Sequence, residues 1–455
     1  MTARQKSEEA IGRAGAVSDA ARPKGADERV GLLRYDRSQF EDLHVDTGRL
    51  LSRIEALAEE GAIADGGCAR LALTDEDRAG RDLVVTWMRD LGLGVSVDAV
   101  GNVIARFGDT DVAPVMMGSH IDTVVTGGRY DGNLGVLAGL EVIETLIDAG
   151  ITPLRPIEVA FFTNEEGSRF SPDMLGSLTY VGGMALEEAL DTVGIDGANL
   201  GDELRRIGYA GLNPCPGPAP HAYVELHIEQ GPVLESEGIE IGVVEGVQGI
   251  SWQELTIEGQ SNHAGTTPMG MRHDAGYAGA AVASFVRELA LDMGARQVGT
   301  VGSLRLRPDL VNVVAAEARL TVDLRNTDEA LLRGAEERLE VFLDQLSTDE
   351  GVAVRSRRLA RFVPVAFDPR VVSLVESTAE HLGYSTLRLP SGAGHDAQML
   401  ARVCPSAMVF VPSVGGISHN PAEYTPPASV AAGSDVLLHV VLALAGSDDA
   451  EEARA

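Results

Sequence analysis

Cysteine is nearly absent from this chain: three residues in 455, Cys68, Cys215 and Cys404, lie far apart with no CxxC pair. An odd, scattered set argues against a disulfide framework and against a cysteine zinc module. It fits a reducing compartment, so the cytoplasm is the expected location. Aromatic residues are scarce too, at 4%, which leaves the cores to Ala, Val, Leu and Ile within an ordinary apolar fraction of 44%. Basic residues are outnumbered, 37 Lys plus Arg against 68 Asp plus Glu, for a formal charge of −31. A field of that sign repels phosphate backbones and anionic lipid, so neither nucleic acid nor a membrane is an expected partner. The first residues lack the apolar run of a secretory signal, and the apolar stretches elsewhere are too short or too Gly-rich to span a bilayer.

What is present is length enough for two domains. Residues 1–38, with no aromatic before Tyr35, read as a mobile tail. Leu50, Leu51, Ile54 and Leu57 then recur at helical spacing. Pro114–Met117 and Ile157–Thr163 are apolar strands separated by a helix through Val142 and Ile147, and each runs into a polar turn. This is the grammar of an α/β domain with a mainly parallel mixed sheet, whose functional loops follow the carboxyl ends of strands. From about 248 the texture shifts to strands at Trp252–Glu258, around 299–306 and at Val311–Leu324, with helices near 272–291 and 328–346. Strands near 386–389 and 406–411 and a terminal helix over 427–446 restore the first pattern. The reading is a catalytic domain over 39–247 and 359–455, into which a smaller α+β domain over 248–358 is inserted.

Four polar clusters carry the chemistry. Gly118-Ser119-His120-Ile121-Asp122 is followed by Asp131, and imidazole with carboxylate suits a borderline ion such as zinc. Asp122 is placed to accept the second ring N–H of a ligating histidine. In Asn164-Glu165-Glu166-Gly167 adjacent side chains point to opposite faces, so Glu166 can reach a metal while Glu165 faces substrate as a proton shuttle. The third, Glu225 to Gly231, presents His227 and Gln230 at a strand end, and the fourth, Gly415-Gly416-Ile417-Ser418-His419, is a glycine-rich loop delivering one more histidine. Each cluster alone fits a solvated polar turn. Together His120, Asp131, Glu166, His227 and His419 are enough for two ions bridged by one carboxylate. Zinc, manganese, cobalt and nickel all accept such ligands.

The order and spacing of these motifs resemble the dinuclear-metal amidohydrolases related to aminoacylases and glutamate carboxypeptidases. The resemblance is to their hydantoinase/carbamoylase branch, which includes carbamoylases, β-ureidopropionases and allantoate amidohydrolases. It runs from about residue 45 to 445 and rests on Gly118–Thr123, Gly128–Gly132, Asn164–Phe170, His227–Gly231, Asn262–Pro268 and Gly416–His419. It implies a zinc-peptidase-like catalytic domain and an inserted lid that also forms a homodimer. One ion would take His120, Asp131 and His227, the other Glu166, His419 and the shared Asp131. Glu165 would be the general base toward the attacking water. His263 would donate to the oxyanion, Asn312 and Arg325 would bind a substrate carboxylate, and Gln230 the ureido group. Related peptidases usually carry a carboxylate in place of His227, so the resemblance favours cleavage of N-carbamoyl amino acids over allantoate or N-acyl amino acids. One departure stands out: Ala315-Ala316 occupies the position where the family usually has Pro-Gly.

Overall fold

A computed structural model describes residues 40, 42–64, 66–294 and 296–446 of the protein, so the tail expected over 1–38 lies outside the described residues. The strands are β1 (Gly94–Val97), β2 (Val103–Phe107), β3 (Val115–His120), β4 (Ile157–Phe162), β5 (Ala222–Ile228) and β6 (Ile241–Val247). There follow β7 (Gly249–Glu258), β8 (Val298–Arg307), β9 (Glu317–Asn326), β10 (Ala353–Phe362), β11 (Val365–Ala366), β12 (Thr386–Ser391) and β13 (Ser406–Val411).

The larger sheet has the order β1-β2-β4-β3-β5-β13-β6-β11, with β12 also paired to β6. Its centre, β4-β3-β5-β13, is parallel, while β1, β2 and the pairing of β13 with β6 are antiparallel. Every residue of β3, β4, β5 and β13 is buried. That explains their unbroken apolar character, since a parallel strand covered on both faces has no solvent side to alternate toward. The helices Asn133–Asp148 and Pro427–Ala445 pack on β3, β5 and β13. Because the central strands run the same way, His120 ends β3, Glu165 and Glu166 follow β4, and His227 is the next-to-last residue of β5, opposite Phe410 of β13. Parallel register therefore gathers the polar clusters at one edge.

The second unit is an antiparallel sheet of order β10-β7-β9-β8 covered by the helices Ala275–Met293 and Glu329–Glu350, with its own core of residues such as Leu255, Val282, Leu320 and Leu339. Three details differ from the sequence reading. β9 begins at Glu317 rather than Val311, because Leu310–Val313 closes a turn (Val313 N–H to Leu310 O, 3.3 Å) in which Val311 is fully exposed. The Ala315-Ala316 pair is bonded into the domain: Ala315 O accepts from Ala275 N–H, and Ala316 bonds to both Arg307 and Gly259. β10 stays paired with β7 through Phe362, so the inserted sheet extends past residue 358. Contrary to the length argument made from sequence, the helix Pro427–Ala445 is long and apolar enough to cross a membrane. It is 83% buried inside the fold, as a core helix is.

Candidate metal centre and substrate cavity

The proposed ligands converge in two lobes. His120, Asp131 and His227 offer donor atoms within 4.8 Å of one another, and so do Asp131, Glu166 and His419. Asp131 belongs to both: its Oδ1 lies 3.2 Å from His227 Nε2 and its Oδ2 3.3 Å from His419 Nε2, which is also 3.3 Å from Glu166 Oε2. His120 Nε2 stands 3.8 Å from Asp131 Oδ1 and 3.3 Å from Glu165 Oε2. The backbone makes this approach possible at Gly132, where φ is +66° and a Cβ would sit 2.4 Å from the His120 ring.

The chemistry of this donor set calls for cations. His120 Nδ1 bonds the carbonyl of Asp122 and His227 Nδ1 that of Ile228, both at 2.9 Å. A carbonyl only accepts, so both Nδ1 atoms carry hydrogen; in the neutral rings the Nε2 lone pairs face carboxylate oxygens, and that of His227 also accepts the Gly132 N–H at 3.2 Å. Acceptors crowded against acceptors repel unless positive charge lies between them. Protein charges alone show the same demand. Burial disfavours charge on His227, yet its hydrogen bond to Asp131 and the attraction of that carboxylate raise it to about 9. Burial lowers His120 to about 4. Burial also pushes Asp131 upward, but the bonds from His227 and His419 hold it well below the usual carboxylate range. The residues present therefore fit divalent metal ions, and Asp131 belongs to both candidate ligand groups.

Glu165 and Glu166 are both raised well above their ordinary values, first by burial; Asp396 and Glu166 then repel charge on Glu165, and Asp131 does so on Glu166. Asp122 supports the pair differently from the sequence expectation. Its backbone carbonyl, not its carboxylate, takes the His120 ring N–H, because the carboxylate is occupied by the N–H groups of Glu165 (3.2 Å) and Glu166 (3.3 Å). Gln230 donates its amide N–H to Asp131 Oδ2 at 2.8 Å, and its Oε1 is buried without a partner.

Several groups were not singled out from sequence. Glu423 accepts from the N–H groups of Tyr130 and Asp131 and from the Ser418 hydroxyl, tying the Asp131 loop to the His419 loop. His395 stacks edge-on against His227 with ring centroids 4.5 Å apart. It follows β12 in the loop Gly392-Ala393-Gly394, the same strand-then-glycine signal that marked the other histidines. Glu225, His227 and His395 are also within ligand reach of one another. The Glu225 oxygens, however, already accept from Ser119 Oγ (2.6 Å) and Ala397 N–H (2.9 Å).

The metal set lines a cavity of about 200 Å³, to which the inserted domain contributes Ile250, Trp252 and Arg325. Arg325 gives Nε and Nη2 hydrogens to Asp323 and an Nη1 hydrogen to Gly392 O. Of five guanidinium N–H groups this leaves one on each terminal nitrogen, the number a carboxylate takes in a bidentate grip. His263 and Asn312 do not line this cavity. They lie side by side on the inserted domain, with Ala264 N–H on Asn312 O at 3.0 Å, and both are exposed.

Comparison with known proteins agrees with this geometry. The profile of Peptidase family M20/M25/M40 matches residues 116–443. The chain is 43% identical to an N-carbamoyl-L-amino-acid amidohydrolase of Rhizobium meliloti over 88% of its length and 97% of the relative's. It is 34% identical to a ureidoglycolate hydrolase of Arabidopsis thaliana over 87% and 86%. An amidase of the hydantoinase/carbamoylase family from Burkholderia multivorans superposes with a TM-score of 0.87 at 46% identity, covering 89% of this chain and 99% of that one. The chain thus belongs to Peptidase family M20/M25/M40 and, within it, to the hydantoinase/carbamoylase amidases. It is a hydrolase of that family, with His/Asp/Glu clusters that are candidates for a metal site.

Proposed function

We propose that this protein hydrolyses the carbamoyl C–N bond of N-carbamoyl amino acids, of the L-α or β-alanine type, to amino acid, ammonia and carbon dioxide. The observation that carries the reading is one small cavity, about 200 Å³, lined both by the two-lobed metal set and by Arg325. That size and lining suit a short acid carrying a ureido group. Divalent ions held by His120, Asp131, His227, Glu166 and His419 would supply Lewis-acid polarisation of the ureido carbonyl. Glu165, enclosed beside His120 and raised by burial, is suited to take a proton from the attacking water and return it to the leaving nitrogen. Gln230, bonded to Asp131, lines the cavity beside the metal set where the ureido group would lie, and Arg325 grips the carboxylate.

His263 and Asn312 lie outside their own cavity, and β8 leaves one edge of its sheet unpaired. Both facts support a homodimer in which a second copy brings the oxyanion donor and a carboxylate ligand. A second reading is hydrolysis of a ureidoglycolate- or allantoate-type ureido acid, favoured by the similarity to the plant ureidoglycolate hydrolase. The test is to incubate metal-replete protein with N-carbamoyl-β-alanine, N-carbamoyl-L-amino acids, ureidoglycolate, allantoate and an N-acetyl amino acid, measuring ammonia and amino acid. Ammonia with amino acid from the carbamoyl compounds is expected. No ammonia from any ureido acid would overturn the proposal.

A further inference from the structure

The proposed hydrolysis asks His263 to donate a hydrogen bond to an oxyanion, and the turn that carries it decides which ring nitrogen can do so. The N–H groups of Gly265 and Thr266 both meet His263 Nδ1, at 3.1 and 3.2 Å. A nitrogen that accepts two N–H groups carries no hydrogen itself, so in the neutral ring the hydrogen sits on Nε2. The histidines of the metal set are held the opposite way. His120 Nδ1 and His227 Nδ1 donate to the carbonyls of Asp122 and Ile228, both at 2.9 Å, which leaves each Nε2 with its lone pair. The fold thus holds imidazoles in two tautomers, one suited to ligating a cation and the other to donating.

His263, Gly265 and Thr266 are exposed, and an exposed turn containing glycine loses conformational freedom when it orders. Arg272 supplies bonds that oppose this loss. Its Nε donates to Thr267 O at 3.1 Å and its Nη2 to Ala264 O at 2.6 Å, one carbonyl on each side of the two N–H groups that meet Nδ1. The Ala264 carbonyl and the Gly265 N–H belong to one peptide group. The guanidinium charge therefore acts on Nδ1 through a single peptide plane, polarising the N–H that holds it. Thr267 Oγ and N–H add bonds to His263 O at 2.9 and 3.1 Å, and Ala264 N–H ties the turn to Asn312 O at 3.0 Å. The chain has 68 acidic residues, yet among the described residues the half-buried Arg272 forms no ion pair with any of them. Its bonds are spent on this turn.

We infer that Arg272 is a positioning residue: by clamping the Ala264–Thr267 turn it fixes His263 as an Nε2–H donor. Arg272 does not line the cavity, so it acts through His263 alone. This inference rests on the donor role proposed for His263. It goes beyond that role by naming what sets the tautomer and the orientation of the ring.

The experiment reads tautomer and kinetics separately. In zinc-loaded protein with nitrogen-labelled histidine, with His263→Ala identifying the signals, NMR should show His263 with hydrogen on Nε2 and none on Nδ1. Arg272→Ala should give a mixture of the two tautomers at wild-type zinc content. Its kcat on N-carbamoyl amino acids should fall about 10-fold, the worth of one hydrogen bond, with KM changed less than about 2-fold, as for a bond made only in the transition state. Arg272→Lys keeps the charge but cannot span both carbonyls, and should be intermediate in both readouts. Should Arg272→Ala not fold, the wild-type tautomer and Arg272→Lys decide. Hydrogen on Nδ1 in wild type overturns this inference while leaving carbamoyl hydrolysis standing, and so do a tautomer and a kcat indifferent to both substitutions. Full kcat in His263→Ala instead removes the donor role on which it rests, whichever tautomer is seen.

Discussion

Glu423 is the sharpest place to test how the metal centre is held, because it ligates nothing and bonds two of the loops that do. Its Oε1 accepts from Tyr130 N–H at 2.9 Å and Asp131 N–H at 3.1 Å, and its Oε2 from the Ser418 hydroxyl at 2.9 Å, while Ser418 also lies 3.0 Å from Asp131 Oδ2. Glu423→Ala strands two buried backbone N–H groups. At roughly 1–3 kcal/mol each, reduced by water entering the space left, the expected loss of stability is about 2–4 kcal/mol. Asp131 is at the same time released as the shared ligand, and loss of such an orienting partner typically weakens metal affinity about 10–100-fold. Glu423→Gln keeps the Oε1 acceptor and should cost about 1 kcal/mol or less. Metal Kd would be measured by competition with a chromogenic chelator, and stability by thermal unfolding of the chelated protein. Wild-type metal affinity in Glu423→Ala would refute the reasoning. A Glu423→Gln as impaired as Glu423→Ala would show that charge, rather than the two N–H bonds, is what matters.

Glu165→Gln should retain its metal, counted by atomic absorption, while kcat falls by roughly 10²–10⁴; undiminished turnover would remove the general-base assignment. Arg325→Lys cannot hold Asp323, Gly392 O and a substrate carboxylate together, and should lower kcat/KM by about 10- to 100-fold, chiefly through KM. The chelated protein should lose stability as pH rises, through about 7 as Asp122 and Glu423 lose their protons and between 6.5 and 9 as His227 does. Asp122 and Glu423 (each raised to about 7 by burial), Glu165, Glu166 and Asp396 all hold protons to a higher pH when folded. His227, raised to about 9 by its bonds to Asp131 against the pull of burial, contributes stability below its unfolded value and loses it through 9. All these shifts make the folded state the better proton binder, so the slope is negative, about 1.4 kcal/mol per pH unit for each proton. Metal should flatten it, and a flat chelated profile would contradict the assignment. Finally, if two copies pair as proposed, inactive Glu165→Gln and His263→Ala proteins, mixed and allowed to exchange, should recover activity through one intact site per mixed pair; no recovery would place His263 in its own subunit's chemistry or outside it, or remove the proposed pairing.

The donor set was legible in the sequence because parallel strands turn linear order into a shared edge. An apolar run followed by a polar, glycine-flanked turn is visible without coordinates, and His120, Glu166, His227 and His419 all obey it. His395 obeys it too and was passed over, since its strand, β12, is only partly buried and less apolar. Glu423 carried no signal: an acid two residues beyond Pro421 looks like surface, and only the fold shows it beneath Asp131. Strand β10, mixed in polarity and paired at long range with β7, escaped altogether, as did β6, which pairs with strands far along the chain. The start of β9 was misjudged because Val311, Val313 and Val314 suggest a strand, whereas a turn exposes the first of them.

The backbone around the cavity is itself a statement about function. Of the six non-glycine described residues with positive φ, Asn164, Met174, Gln230 and His419 adjoin the metal set or its loops. Left-handed conformation costs an ordinary residue on the order of 1–2 kcal/mol; Asn tolerates it best, Gln, Met and His do not. Such strain persists only where surrounding bonds over-determine it, and they do here: Gln230 N–H is fixed by Ser413 Oγ at 3.0 Å and Met174 N–H by Glu165 O at 2.7 Å. Strained turns and facing acceptors are concentrated at one edge of an otherwise apolar sheet, where neither contributes to packing. Cations bound there would relieve the repulsion among the acceptors, so binding free energy would add directly to folding free energy. The same strained and mutually repelling groups that cost this edge stability are the ones the proposed chemistry needs, and the fold tolerates them because the rest of β3, β4, β5 and β13 is buried.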